Sequence, residues 1–210
     1  MSERASETEK SPLSLIERKQ RAARGRIIDA ADVLFAERGF DSVSVTDIAE
    51  RAEVGRTTFF RHFKDKTEVV FAKEQMMFDA ITDATTAKWT PAQSVDSLAG
   101  ALSALEPLVI RLCEQATADL DVYQRHTMLL DAHEELRARE ALKHQYIAKE
   151  LAAVLLAHGA PPHLATMAAQ LALACYSSGR VLAATPSDLT TATRAAFRDT
   201  LAMNSSPAEV

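Results

Sequence analysis

At 210 residues the chain has room for one large helical domain, or for a small domain fused to a larger one, and either would hold a real core. Hydrophobic residues at 47% and charged residues at 25% are ordinary for a globular protein, and six Gly with seven Pro leave little room for many-stranded β architecture, so the expected class is all-α. A net charge of −5 argues at first against a polyanionic partner.

Cys113 and Cys175 lie far apart in apolar stretches, which reads as two reduced, buried thiols in a cytoplasmic protein. Residues 1–13 are polar with mixed charge and carry no apolar core segment, so they read as a disordered tail and not as a signal peptide. The most apolar stretch, 164–175, is interrupted by Gln170 and falls short of the ~18 apolar residues a membrane span needs, so no membrane partner is expected.

The charge is unevenly spread. Residues 14–66 hold eleven basic and nine acidic side chains, a net +2, which leaves −7 for the rest of the chain. Residues 18–26 contain Arg18, Lys19, Arg21, Arg24 and Arg26 with no acid among them, and residues 54–64 contain Arg56, Arg61 and Lys64 likewise. Such local clusters are what phosphate binding needs, although charge by itself also suits a solvated helix face.

In chain order, Ser14 and Glu17 form a capping-box pattern, in which hydroxyl and carboxylate each satisfy one orphan N–H, so a helix should open there. Ile27, Ile28, Ala31, Leu34 and Phe35 recur at helical spacing, and Gly39 is placed to end the helix with Phe40 folding back onto it. Ser44 with Asp47 caps a short helix over 45–52 that buries Val45, Ile48 and Ala49, and the turn Glu53-Val54-Gly55 stops it. A third helix covers 56–62 with Phe59 and Phe63 inward. Asp65 to Glu68 then opens a longer helix through Val69, Val70, Met76, Met77 and Ile81 towards residue 87.

Pro91 and Pro107 punctuate the middle, predicting separate helices over 94–105 and 108–118. Further helices are expected over 119–131 and 134–157, the second with the stripe Leu142, Tyr146, Ile147, Leu151, Val154 and Leu155, broken by the Gly159-Ala160-Pro161-Pro162 run. Residues 163–184 are apolar around most of the circumference, so that helix must be covered on several sides. A last helix covers 188–202, and about nine helices are expected in total. The predicted organisation is a small helical domain over 14–64, a larger helical domain over 65–204, and a tail over 205–210.

Two short helices joined by a tight turn, with cations and hydroxyls on the second, describe a helix-turn-helix. Ile48, Ala49, Val54, Phe59 and Phe63 hold the angle from inside, which leaves Arg56, Thr57, Phe60 and Arg61 to meet a major groove. Arg56 at a helix N-terminus can donate two bonds to guanine O6 and N7, while His62 and Lys66 suit phosphate.

The runs Leu34-Phe35-Ala36-Glu37-Arg38-Gly39-Phe40, Thr46-Asp47-Ile48-Ala49 and Thr58-Phe59-Phe60-Arg61-His62-Phe63-Lys64-Asp65-Lys66 resemble the DNA-binding domain of the TetR family over some 45 residues. The resemblance implies DNA contacts at Thr46, Arg56, Thr57, Thr58, Phe60, His62 and Lys66; Arg24 and Arg61 complete the basic set. Three positions depart from the family pattern. Phe60 replaces the usual Tyr, Gly55 replaces a common Ser cap, and Glu53 occupies a turn position that is often Gly, where a positive φ would cost on the order of 1 kcal/mol.

The resemblance further implies a homodimer through the last two helices, with Ala168, Ala172, Cys175, Ser178, Ala192 and Ala195 on the seam, binding double-stranded operator DNA. It also implies an apolar or amphipathic small-molecule effector between the preceding helices, for which Met77, Ile81, Tyr123, His126, Met128, Tyr146 and Cys175 are candidate lining. Residues 125–140 resemble a branch that senses acyl-CoA-like ligands, with Arg111, Arg125 or Arg137 placed for phosphates. No cofactor or metal is expected, and no catalytic residues: the chain has no Glu-x-x-His pair, His-Glu-x-x-His motif or Gly-rich phosphate loop. The competing reading is a helical small-molecule carrier without DNA function, for which Arg56 and the basic run before Ile27 have no use.

Overall fold

The structure is a computed structural model that describes residues 14–72, 90–91 and 94–203. Among these residues there are nine α-helices, one short 3-10 turn and no strand, divided between two compact units, Met1–Val70 and Phe71–Val210. The protein is therefore all-α, with an N-terminal helix-turn-helix unit and a larger helical unit.

In the first unit, α1 (Leu15–Arg38) begins at the capping box between Ser14 and Glu17 and buries Ile27, Ile28, Ala31 and Leu34. Gly39 ends it at φ +76°, ψ 157°, a positive-φ extended conformation and not the left-handed helical one that a Gly cap suggests. Phe40 folds back, with its ring centroid 5.2 Å from that of Phe35. Helix α2 (Val45–Arg51) opens at a second capping box, Ser44 with Asp47. Val43, at 1% exposure, takes the buried place expected of Val45, which is half-buried. Helix α3 (Arg56–His62) and the start of α4 (Lys66–Val70) complete this unit, which runs to Val70 because Val69 and Val70 are themselves buried. The remainder of the helix expected towards residue 87 lies outside the described residues, as do 1–13 and 204–210.

The second unit contains α5 (Leu98–Ala116), α6 (Leu120–Ala132), α7 (Glu134–Ala157), α8 (Pro162–Leu182), the 3-10 turn Pro186–Asp188 and α9 (Leu189–Met203). One prediction fails here: Pro107 does not divide α5. Proline inside a helix costs about 3 kcal/mol, but Leu102 and Leu105 before it and Leu108, Val109 and Cys113 after it all pack into the core, and that continuous apolar face outweighs the lost bond. The helix starts at Ser97, not Ser94, and the Ser94 carbonyl lies so close to Gly100 that a Cβ there would meet it at 2.0 Å.

The stripe on α7 also differs from expectation. Leu142 and Tyr146 are exposed, whereas Leu136, Ile147, Leu151, Val154 and Leu155 are buried. Helix α8 is the centre of the unit, packed against α5, α7 and α9, which satisfies its nearly uniform apolarity. It approaches α9 closely at Gly179, where a Cβ would meet Oγ1 of buried Thr193 at 2.2 Å.

Candidate nucleic-acid interface

The first unit is a rigid mount for α3. Phe59 is fully buried and its ring lies 5.8 Å from that of Phe63, so one side of α3 is locked into the core. The connection from α2 is a Schellman turn: the Val54 N–H donates to the Ala49 carbonyl at 3.0 Å and the Glu53 N–H to the Glu50 carbonyl at 3.1 Å. Glu53 is the residue with positive φ, +54°, the position that favours glycine. Gly55, at φ −72°, is the N-cap of α3 and supplies no side-chain bond.

The opposite side of α3 presents Arg56, Thr57, Phe60 and Arg61, all exposed, with Phe60 at 50%. Thr58, His62 and Thr46 are half-buried along its edges. Among the described residues neither Arg56 nor Arg61 enters an ion pair or hydrogen bond, while other cations of this unit are occupied. Arg38 lies 3.4 Å from Asp47, Arg51 3.3 Å from Glu37, and Arg26 Nε donates to the Ala52 carbonyl at 3.1 Å. The positive charge left for a partner is thus concentrated on α3 and on the early part of α1.

Arg24 stands beside α3 with its guanidinium 4.8 Å over the Phe63 ring and one terminal nitrogen buried without a hydrogen-bond partner. Burial, followed by the nearby charges of Arg24 and Arg61, lowers the pKa of His62. Lys66 occupies a place different from the one expected of a phosphate contact. Its ammonium donates to the carbonyls of Phe40, Val43 and Asp41 at 2.7, 3.1 and 3.5 Å and lies 4.2 Å over the Phe40 ring.

In the second unit, a cavity of about 510 Å³ opens among α6, α7 and the end of α8. Tyr123 and Met128 line it, together with Asp131, Glu140, His144 and Arg180, which sequence reading did not select. Arg180 and Glu140 form an ion pair whose side chains are only 18% and 16% exposed. One signal was available: Arg180 is the lone Arg, Lys, Asp or Glu in the 21-residue α8. His126 packs edge-on against Phe71 at 5.9 Å, Tyr146 is exposed, and neither lines the cavity; Met77 and Ile81 lie outside the described residues.

Cys175 and the seam candidates need correction. Ala168, Ala172 and Cys175 are buried within the core of the single chain, because their side of α8 packs against the neighbouring helices. Ser178 is exposed, and Ala192 and Ala195 are half-buried. The outward side of α8 carries Met167, Ala174, Ser178 and Val181. Burial pushes the Cys113 thiol up to about 11 and raises that of Cys175, so neither is a ready nucleophile.

Among the described residues no group of His, Cys, Asp or Glu could hold a metal ion, and no helix is long and apolar enough to cross a membrane.

Comparison with known proteins agrees with this geometry. The family described as "Bacterial regulatory proteins, tetR family" matches residues 27–72. The transcriptional regulator TcmR of Streptomyces glaucescens is 33% identical over 91 residues, which cover 43% of this chain and 40% of TcmR. The transcriptional repressor KstR of Mycolicibacterium smegmatis is 34% identical over 88 residues, 40% of this chain and 43% of KstR. The chain thus covers well under half the length of the curated relatives it matches. Over the full architecture it is similar to Thermus thermophilus FadR, a TetR-family repressor solved with lauroyl-CoA, at 25% identity and TM-score 0.58, covering 89% of this chain and 97% of that one. Both curated relatives are named as helix-turn-helix transcriptional regulators. Over residues 27–72, within its N-terminal helix-turn-helix unit, this chain matches the tetR family of bacterial regulatory proteins.

Proposed function

We propose that the protein is a ligand-responsive, sequence-specific DNA-binding transcription regulator, a repressor that holds a pseudo-palindromic operator as a homodimer and releases it when a small molecule binds. The observation that carries this reading is the outer side of α3: two exposed guanidiniums, Arg56 and Arg61, unpaired among the described residues, flank Thr57 and Phe60 on a helix whose other side is immobilised by Phe59 and Phe63. A rigid helix with free bidentate donors is what reading guanine edges requires. Phe60, lacking the family's usual hydroxyl, supplies apolar contact with sugar or a thymine methyl in place of a phosphate bond.

Repression is favoured by the names of relatives such as KstR. The dimer would join through α8 and α9, with the outward row Met167, Ala174, Ser178 and Val181 on the seam. It would set two copies of α3 one DNA turn apart, ~34–36 Å. The cavity of about 510 Å³ has the size of a small-molecule site and mixes apolar with charged walls, which suits an amphipathic effector. The lauroyl-CoA complex of T. thermophilus FadR supports the same class. Coupling of ~1–3 kcal/mol between effector and operator would weaken DNA binding 5–150-fold.

Genomic binding-site selection with purified protein tests the reading, followed by a screen for compounds that release the selected duplex. Arg56→Ala should cost ~1–3 kcal/mol at the selected site. Absence of preference for any duplex at low ionic strength would sink it.

A further inference from the structure

Helix α1 starts well before it has anything to pack against. Every residue from Ser14 to Ala22 is exposed, and the first buried side chain is Ala23. Two free-standing turns are marginal in water. Here they are held by the Ser14–Glu17 capping box and by continuity with the buried half of the helix. These turns bring out Arg18, Lys19 and Arg21, none of which has an ion pair or hydrogen bond among the described residues. Among the described residues the acid nearest in sequence, Glu17, accepts from the Ser14 N–H at 2.8 Å, and the charge of Arg21 also helps to lower its pKa. At the other end of α1 the cations are neutralised, Arg38 by Asp47, while Glu37 in turn engages Arg51.

Helix α1 is fixed relative to α3 where the Arg24 guanidinium lies over Phe63, the residue that ends α3. Arg21 stands one turn before Arg24 and neighbours it on the helix surface, with Arg18 and Lys19 farther along and rotated by roughly 120–140° about the axis. At 1.5 Å per residue, Arg18 stands about 9 Å farther along the axis from Arg24. The early turns of α1 therefore project from beside the C-terminal end of α3.

We infer that the first two turns of α1 are a second DNA-contact surface, on which Arg18, Lys19 and Arg21 hold the phosphate backbone flanking the groove that α3 enters. The inference rests on the DNA-binding reading of α3 and adds to it a contact that carries affinity without sequence information. An apolar or basic partner is disfavoured by three exposed cations within four residues.

The test is the full chain with Arg18→Ala, Lys19→Ala and Arg21→Ala together, measured on the selected operator and on a mismatched duplex across a salt series. Exposed positions without core contacts let this variant fold, which its thermal midpoint checks. Each phosphate contact contributes about 0.9 to the slope of log K against log salt. The expected result is a slope reduced by about one or more per protomer and affinity lowered about tenfold or more near physiological salt, with the operator-to-mismatch ratio and thermal midpoint unchanged. A slope equal to that of the parent overturns the inference and leaves the reading of α3 intact. A parent protein that prefers no duplex overturns both, and the parent titration reveals that before any variant is compared.

Discussion

The ammonium of Lys66 is anchored on the carbonyl of Phe40, 2.7 Å away, and sits over the ring of the same residue at 4.2 Å. With further bonds to Val43 and Asp41, it ties the start of α4 to the loop between α1 and α2. All three donors of an ammonium can be satisfied in this way, so little directional capacity remains for phosphate.

Lys66→Met should accordingly lower the stability of the N-terminal unit by about 1.5–3 kcal/mol, the range for hydrogen bonds to a charged group. The salt slope of operator binding should not change. Denaturant titration and a salt series on the same preparation check both, and a slope reduced by about one with unchanged stability would return Lys66 to the phosphate backbone.

Glu53 holds the left-handed position of the Schellman turn at φ +54°. Glycine removes the Cβ strain, about 1–2 kcal/mol, while its unfolded-state entropy costs about 0.4–1 kcal/mol. Glu53→Gly is therefore expected to stabilise the protein by about 0.5–1 kcal/mol, read as a higher denaturant midpoint with unchanged m-value. Destabilisation would mean that the Glu53 side chain contributes more than its backbone costs.

Ala172 and Ala174 are two residues apart on α8 and should respond in opposite ways to arginine. Ala172 is fully buried, so Ala172→Arg should prevent folding by forcing an unpaired charge into the core, a cost above 4 kcal/mol. Ala174 is exposed, and Ala174→Arg should fold yet sediment as a monomer if the outward side of α8 is the seam. Sedimentation velocity together with circular dichroism separates these outcomes; a folded Ala174→Arg dimer would move the interface elsewhere.

His62 titrates below its ordinary 6.5, through burial first and then the charges of Arg24 and Arg61. As pH falls through 6.5 the unfolded chain takes up this proton before the folded one does, so stability is lost on that descent and levels off only below the folded pKa. Thermal midpoints should be lower at pH 5.5 than at 7.5, and His62→Gln should flatten the difference. Glu17 and Asp47 act in a separate window. The Ser14 and Ser44 hydrogen bonds hold their carboxyls below the ordinary 4.5 and 3.8, so their contribution is present above those values and disappears as pH falls through the folded pKa.

Local chemistry made most of the helix-turn-helix legible from the residues. Capping boxes at Ser14 and Ser44 involve neighbours three apart, and Phe59 and Phe63 recur at helical spacing, so these signals survive without any tertiary information. Pro107 misled because propensity is a local quantity, while the packing that overrides it comes from helices distant in the chain. The sides of α8 were misassigned for a related reason: small residues occur all around it, and only neighbouring helices determine which of them are covered. Tyr123 and Met128 could be singled out by type, but the Arg180–Glu140 pair beside them joins residues forty apart and has no periodic trace.

The order of residues by itself determined where α1, α2 and α3 begin, which positions of α3 point away from its core, and that the turn before it would place a glutamate under strain. Tertiary packing alone decided that Lys66 would be bound to a loop, that Ala172 would be internal and Ala174 external, and that the early turns of α1 would project with their cations exposed. The division follows from range. Caps and helical periodicity act over a few residues, whereas burial and charge pairing depend on groups that only the folded chain brings together.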